Sequence, residues 1–129
     1  MEKLIIEKTK SSPYIFFNPE ERLLKIYGES FPENAAKFYA PVLDWVKDYL
    51  EQLDGQEVNV EMEIIYFNSS TSKVFMNFFQ MLDDAAAEGN KITINWRCHE
   101  ENEAAIECGE EFMEDLENVP FNIMVFKGE

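Results

Sequence analysis

A chain of 129 residues suits one domain, here residues 1–129, and is long enough to bury a core without disulfide or metal staples. The hydrophobic fraction of 46% and the 11 Phe argue that a net charge of −15 decorates a folded protein rather than a disordered one. The same charge argues against nucleic acid and anionic membrane surfaces as partners, because 11 Lys and Arg are too few to neutralise phosphates.

The N-terminal run Met1-Glu2-Lys3-Leu4-Ile5-Ile6-Glu7 lacks the long apolar region of a signal peptide. No apolar run is long enough to span a bilayer, so a cytoplasmic protein is expected. In that compartment Cys98 and Cys108 are expected as reduced thiols.

Leu4-Ile5-Ile6 suits a short strand, broken by Ser11-Ser12-Pro13. Tyr14 to Phe17 and Leu23 to Tyr27 read as two further strands, and the Asn18-Pro19-Glu20-Glu21 turn between them suggests a hairpin. Gly28 stops the third strand. Ser30-Phe31-Pro32-Glu33-Asn34 then carries start signals for a helix running to about Leu53. Tyr39, Val42, Val46, Tyr49, Leu50 and Leu53 share one face of it, and Pro41 predicts a kink.

Val58, Val60, Met62 and Ile64 alternate with polar residues, as in a half-exposed strand. Ile64 to Phe67 is continuously apolar, which predicts a strand entering a covered position. From Val74 the period changes to that of a helix, with Phe75, Phe78, Phe79, Leu82, Ala85 and Ala86 on one face and Lys73, Asn77, Gln80 and Asp84 opposite. Met76 is placed on the polar side, near Ser72 and Asp83. Ile92, Ile94 and Trp96 mark another strand, Glu101 to Glu117 an acidic helix, and Phe121 to Phe126 a last strand. The order is β-β-β-α-β-α-β-α-β. Strand–helix alternation in the second half favours parallel pairing, giving an α/β domain with a mixed sheet, an N-terminal hairpin and about three helices.

Four hydroxyl residues, Ser69, Ser70, Thr71 and Ser72, follow Asn68 at the junction of the fourth strand with the second helix. A helix needs one such oxygen as a cap. The row therefore reads either as a capping loop or as a phosphorylatable turn, where the helix N-terminus accommodates added negative charge.

Enzymatic readings lack their parts. His99 is the only His and nothing places it near the turn; no Gly-x-Ser-x-Gly elbow is present, so a nucleophilic Ser has no partners. Cys98, His99 and Cys108 fall short of the four closely paired ligands of structural zinc, and the acids of the last helix lack the spacing of a calcium loop. No Gly-rich phosphate loop appears. Neither a metal nor a cofactor is expected.

Asn68-Ser69-Ser70-Thr71-Ser72-Lys73 after a strand resembles the phosphoacceptor turn of STAS-type anti-sigma-factor antagonists, with Asn68 and Thr71 in place of the usual Asp and Gly. More specifically, the chain resembles the SiaC family of regulatory phosphoproteins. The likeness rests on Pro32-Glu33-Asn34, Trp45, Tyr66 through Ser70, Asn95-Trp96 and Glu110-Glu111-Phe112. It implies a STAS-like fold and reversible phosphorylation at the turn, by a dedicated Ser/Thr kinase and a PP2C-type phosphatase. It also implies that the unphosphorylated form activates a diguanylate cyclase, raising cyclic di-GMP and favouring biofilm or aggregation. The family acceptor falls on Ser69, with Ser70 and Thr71 as alternatives.

The effector is then expected to cover the turn with Asn68, Ser72, Lys73 and Met76. A phosphate on so acidic a chain controls binding efficiently only from inside or beside the contact, since charges are screened over about 8 Å at physiological ionic strength. The alternative function is a STAS-like module for a small ligand or lipid, held in a cavity among the Phe residues.

Overall fold

A computed structural model describes residues 1–128. The elements are β1 (Leu4–Ile6), β2 (Tyr14–Asn18), β3 (Leu23–Ser30), α1 (Ala35–Glu51), β4 (Glu57–Phe67), α2 (Ser69–Ala87), β5 (Lys91–His99), α3 (Glu103–Glu114) and β6 (Phe121–Phe126). This is the expected order. The six strands form one sheet in the spatial order β1-β2-β3-β4-β5-β6. β1–β2–β3 pair antiparallel, and every pair from β3 to β6 is parallel.

Only one face of the sheet is fully covered. Ile15, Phe17, Leu24, Ile26, Val58, Val60, Met62, Ile92, Ile94 and Trp96 are buried, while Tyr14, Phe16, Lys25, Tyr27, Asn95 and Arg97 between them stay partly exposed. The helices bring Tyr39, Val42, Val46, Phe75, Phe78, Phe79, Leu82 and Phe112 to the covered face. Burial of that apolar area is the main stabilising term, at about 25 cal/mol per Å².

All three helices begin the same way. Asn34, Asn68 and Asn102 each stand in extended or near-extended backbone, and each side chain accepts the N–H three residues on, from Lys37, Thr71 and Ala105. α1 therefore starts at Ala35, later than the Ser-Phe-Pro-Glu signals suggest, because Asn34 supplies the cap. β3 correspondingly runs past Gly28 to Ser30. Gly28 adopts φ +122°, a conformation that costs glycine little, and the strand continues beyond it through a register shift.

Two details of packing matter for stability. Asp83 on α2 is buried, not on the polar side where the helical period places it. Its carboxylate accepts the backbone N–H groups of Glu117, Asn118 and Val119 and so holds the loop between α3 and β6. The second detail is the fit of α3 on Trp96, whose indole N–H donates to the Ala105 carbonyl at 2.9 Å. A Cβ at Gly109 would lie 2.6 Å from the Trp96 ring. Gly109→Ala raises helix propensity but must push the indole aside. We expect a net loss of about 2 kcal/mol from overpacking, read by denaturant unfolding.

Candidate functional site

The site forms where β4 outruns its neighbour. Pairing of β4 with β5 ends at Met62, whereas pairing with β3 continues to Phe67. In that overhang the β3 partners skip from Ile64 to Tyr66, so Ile65 is an extra, bulged residue. A bulge resets the alternation of side chains. Ile64 and Phe67 both pack inward, and Ile65 and Tyr66 are left 60% and 53% exposed. The continuous apolar run is thus not a covered strand; half of it is surface. The Ile65 carbonyl accepts from the Asn102 side chain at the start of α3. Tyr66 packs edge-on against Phe31, itself 39% exposed, with ring centroids 5.8 Å apart.

The chain turns directly from Phe67 into α2. Asn68 Oδ1 accepts from the Thr71 N–H at 2.9 Å, and the Asn68 carbonyl accepts from the Ser72 N–H at 3.0 Å. Ser69 and Ser70 are then the first two helical residues, and both are exposed. Their N–H groups fall among the first-turn donors that no intrahelical carbonyl reaches. Ser72 is half-buried and Lys73 exposed.

Thr71 is different. Its side chain is fully buried, and its hydroxyl lies 3.1 Å from the Ser30 carbonyl and 2.9 Å from Ser30 Oγ. Ser30 Oγ in turn lies 2.7 Å from Tyr39 Oη on α1. Burial raises the Tyr39 phenol well above its ordinary range, so it is a neutral hydroxyl here. Thr71 was expected as an alternative acceptor; here it is a core hydroxyl that a kinase cannot reach without opening the helix.

On α2 the helical spacing puts Ser69, Lys73, Met76 and Gln80 along one exposed crest. The crest separates two open clefts. On the α1 side, Glu33, Asn34, Ser70, Lys73 and Asn77 line a cleft of about 350 Å³. On the α3 side, Met76, Phe79, Phe112 and Leu116 line one of about 60 Å³. Of the residues expected at the partner surface, Lys73 and Met76 share this exposed crest with Ser69, Asn68 is the helix cap, and Ser72 is half-buried beside it. The sequence reading missed Phe31, Ile65 and Tyr66, the apolar flank of this surface. It also missed Ser30 and Tyr39 beneath the turn.

Other chemistry does not gather here. His99 stands at the carboxyl end of β5, where it contacts Glu101 and the Gly128 carbonyl and no residue of the hydroxyl row. Burial raises the Cys98 thiol to about 11 and the Cys108 thiol above its usual range. Among the described residues, no group of His, Cys, Asp or Glu is placed to hold a metal, and no helix is long and apolar enough to cross a membrane.

Residues 6–126 match the family model of the SiaC family regulatory phosphoproteins. The chain belongs to the SiaC family. A curated relative, an uncharacterised protein of Pseudomonas aeruginosa (strain UCBPP-PA14), is 33% identical over 124 residues, spanning 95% of this chain and 96% of its own. The crystal structure of apo-SiaC from Pseudomonas aeruginosa superposes with a TM-score of 0.86 at 30% identity, over 96% of this chain and 99% of that one. A second structure contains the diguanylate cyclase SiaD in complex with its activator SiaC, also from Pseudomonas aeruginosa. Its match to this chain has a TM-score of 0.89 at 30% identity, over 95% of this chain and 99% of that one. In this SiaC-family protein the hydroxyl row, its Asn68 cap and the flanking aromatic pair all stand at the carboxyl end of β4, where open α/β sheets commonly place their sites.

Proposed function

We propose that the chain is a non-enzymatic partner-switching regulator, phosphorylated on Ser69 and acting on a diguanylate cyclase when unphosphorylated. One observation carries this reading: an exposed hydroxyl pair on the first turn of α2 lies within a surface of Lys73, Met76, Phe31, Ile65 and Tyr66. Membership of a family of regulatory phosphoproteins supports it, as does the complex of the related SiaC with a cyclase. A dedicated Ser/Thr kinase installs the phosphate: Ser69 Oγ bonds to the γ-phosphorus of ATP, ADP leaves, and a kinase base takes the hydroxyl proton. A PP2C-type phosphatase removes it by hydrolysis. Ser70 is the alternative acceptor, being equally exposed.

A phosphate on Ser69 adds about −1.5 to −2 charge. The free N–H groups of the helix start and Lys73 one turn on accommodate it, so the fold survives. At an interface the same charge meets desolvation cost and repulsion, and the complex dissociates. The protein is read as cytoplasmic and as working without cofactor or metal. No observation favours the small-ligand or lipid module, since the clefts at the site are open grooves and aromatic rings occupy the core.

The test is direct. Candidate Ser/Thr kinases are incubated with the protein and the modified residue is mapped by mass spectrometry. Ser69→Ala should keep the fold and lose most of the label; undiminished incorporation would move the acceptor to Ser70. Ser69→Asp should weaken cyclase binding several-fold with nearly unchanged thermal stability, because Asp carries less charge and fewer oxygens than phosphate. Wild-type affinity in a titration would place the interface elsewhere, first on the acidic face of α3.

A further inference from the structure

The buried hydroxyls beneath the turn form a chain whose direction can be worked out. Thr71 Oγ1 lies 3.1 Å from the Ser30 carbonyl, which can only accept, so Thr71 donates there. With that proton committed, the 2.9 Å contact between Ser30 Oγ and Thr71 Oγ1 requires Ser30 to donate. With the Ser30 proton committed in turn, the 2.7 Å contact to Tyr39 requires the phenol to donate. The order is Tyr39 to Ser30 to Thr71 to the Ser30 carbonyl. That carbonyl also accepts the Asn68 N–H at 3.1 Å, so it binds the first and last residues of the segment Asn68–Thr71. Asn68 Oδ1 closes the segment on itself through the Thr71 N–H. Ser69 and Ser70 are the two residues between these fixed points, and they have nowhere to go but outward.

We infer that Ser30, Tyr39 and Thr71 are positioning residues: a hydroxyl clamp that presents Ser69 and Ser70 to a modifying enzyme and withholds Thr71 from it. The assignment to phosphorylation rests on the function proposed above; the clamp itself does not. Exclusion of Thr71 then needs no sequence reading by the kinase. Thr71 has its proton bonded and its oxygen occupied inside the core, while its two predecessors are free.

Two measurements test this separately. The first is amide hydrogen exchange at residues 68–72 in the wild type, Thr71→Val, Thr71→Ser and Tyr39→Phe. Thr71→Val fills the same space but can neither donate to the Ser30 carbonyl nor accept from Ser30. Exchange at Thr71 or its replacement and at Ser72 should rise at least fivefold in that variant. Thr71→Ser should restore wild-type rates. Tyr39→Phe keeps the ring in place and should give a smaller rise of about threefold; it also covers the case in which Thr71→Val fails to fold. The second measurement uses a Ser/Thr kinase that labels the wild-type chain. Phosphate should appear on Ser69 or Ser70 and never on Thr71. Thr71→Val should raise KM for the protein substrate about fivefold with kcat within twofold, and Thr71→Ser should recover it. Phosphate on wild-type Thr71, or unchanged exchange and KM in folded Thr71→Val, would overturn the inference. The exchange pattern without any labelling of the chain would uphold the clamp and defeat the phosphorylation reading instead.

Discussion

Asp83→Ala is expected to cost about 3 kcal/mol, read as a lower midpoint in urea unfolding. The Asp83 carboxylate gathers three consecutive backbone N–H groups, from Glu117 at 3.1 Å, Asn118 at 2.7 Å and Val119 at 2.9 Å. Removing the acceptor strands these donors at once: the Val119 N–H is buried, and an unsatisfied buried donor costs about 1–3 kcal/mol, while water replaces part of what the more exposed Glu117 and Asn118 N–H groups lose. The loop they hold delivers the chain to β6, so the damage is not confined to one side chain. Asp83→Asn keeps an acceptor oxygen in the same place and isolates the part that depends on charge.

That part has a defined pH window. Burial pushes the Asp83 carboxyl up, but the hydrogen bonds from Asn118, Val119 and Glu117 outweigh it and hold the group below its ordinary value of 3.8. A carboxyl whose folded pKa is depressed stabilises the fold fully above the unfolded value and loses that contribution as pH falls through the folded one. The wild type should therefore exceed Asp83→Asn by a constant margin from neutral pH to about pH 5, and the margin should close below the unfolded value near 3.8. A margin that widened in acid would contradict the assignment.

The second large effect concerns binding. Tyr66→Glu should reduce affinity for the cyclase by at least about 100-fold, roughly 2.7 kcal/mol, while shifting thermal stability little. Tyr66 is 53% exposed and rests against Phe31, so the fold asks little of it. Exposed aromatic residues beside the turn proposed to be phosphorylated are the type of anchor that carries most of an interface's energy, and a buried uncompensated carboxylate there is severe. Titration against a purified diguanylate cyclase, with SiaD from Pseudomonas aeruginosa as the first choice, measures it. Unchanged affinity would remove the aromatic flank from the interface, leaving the crest of Ser69, Lys73 and Met76.

The elements were legible in the sequence because they are long and regularly patterned. β4 alternates from Val58 to Ile64, and α2 keeps its apolar period from Phe75 to Leu82. Three of the differences share a cause, namely contacts between residues far apart in the chain. Ile64 to Phe67 looks like a covered strand until the bulge opposite Gly28 and Glu29 turns Ile65 and Tyr66 to the surface. Asp83 lies at the polar edge of its helix by period alone; the loop that buries it begins 34 residues later. Ser69, Ser70 and Thr71 are alike as letters, and the difference is made by Ser30, 41 positions before Thr71. The start of α1 failed more locally. Pro32 and Glu33 suit a first helical turn, but Asn34 is the better cap and won. The β4–α2 junction itself was visible, as a change of period with hydroxyls in it. Which hydroxyls face outward, and which apolar residues flank them, depends on tertiary structure.

The sheet's strand order has a consequence for how the protein is made. Chain order and spatial order coincide from β1 to β6, so no strand has to be inserted between two that are already paired. As the chain leaves the ribosome, at about 5–20 residues per second, each new strand meets a finished edge. The β1–β2 and β2–β3 pairings are local in the chain and complete within its first 30 residues. Residues 30–76 then supply Ser30, Phe31, Tyr39, Tyr66, Asn68 and the crest of α2, all before β5 is synthesised. The surface proposed to bind the partner belongs to the first part of the molecule to emerge, and β5, α3 and β6 arrive afterwards to complete the core.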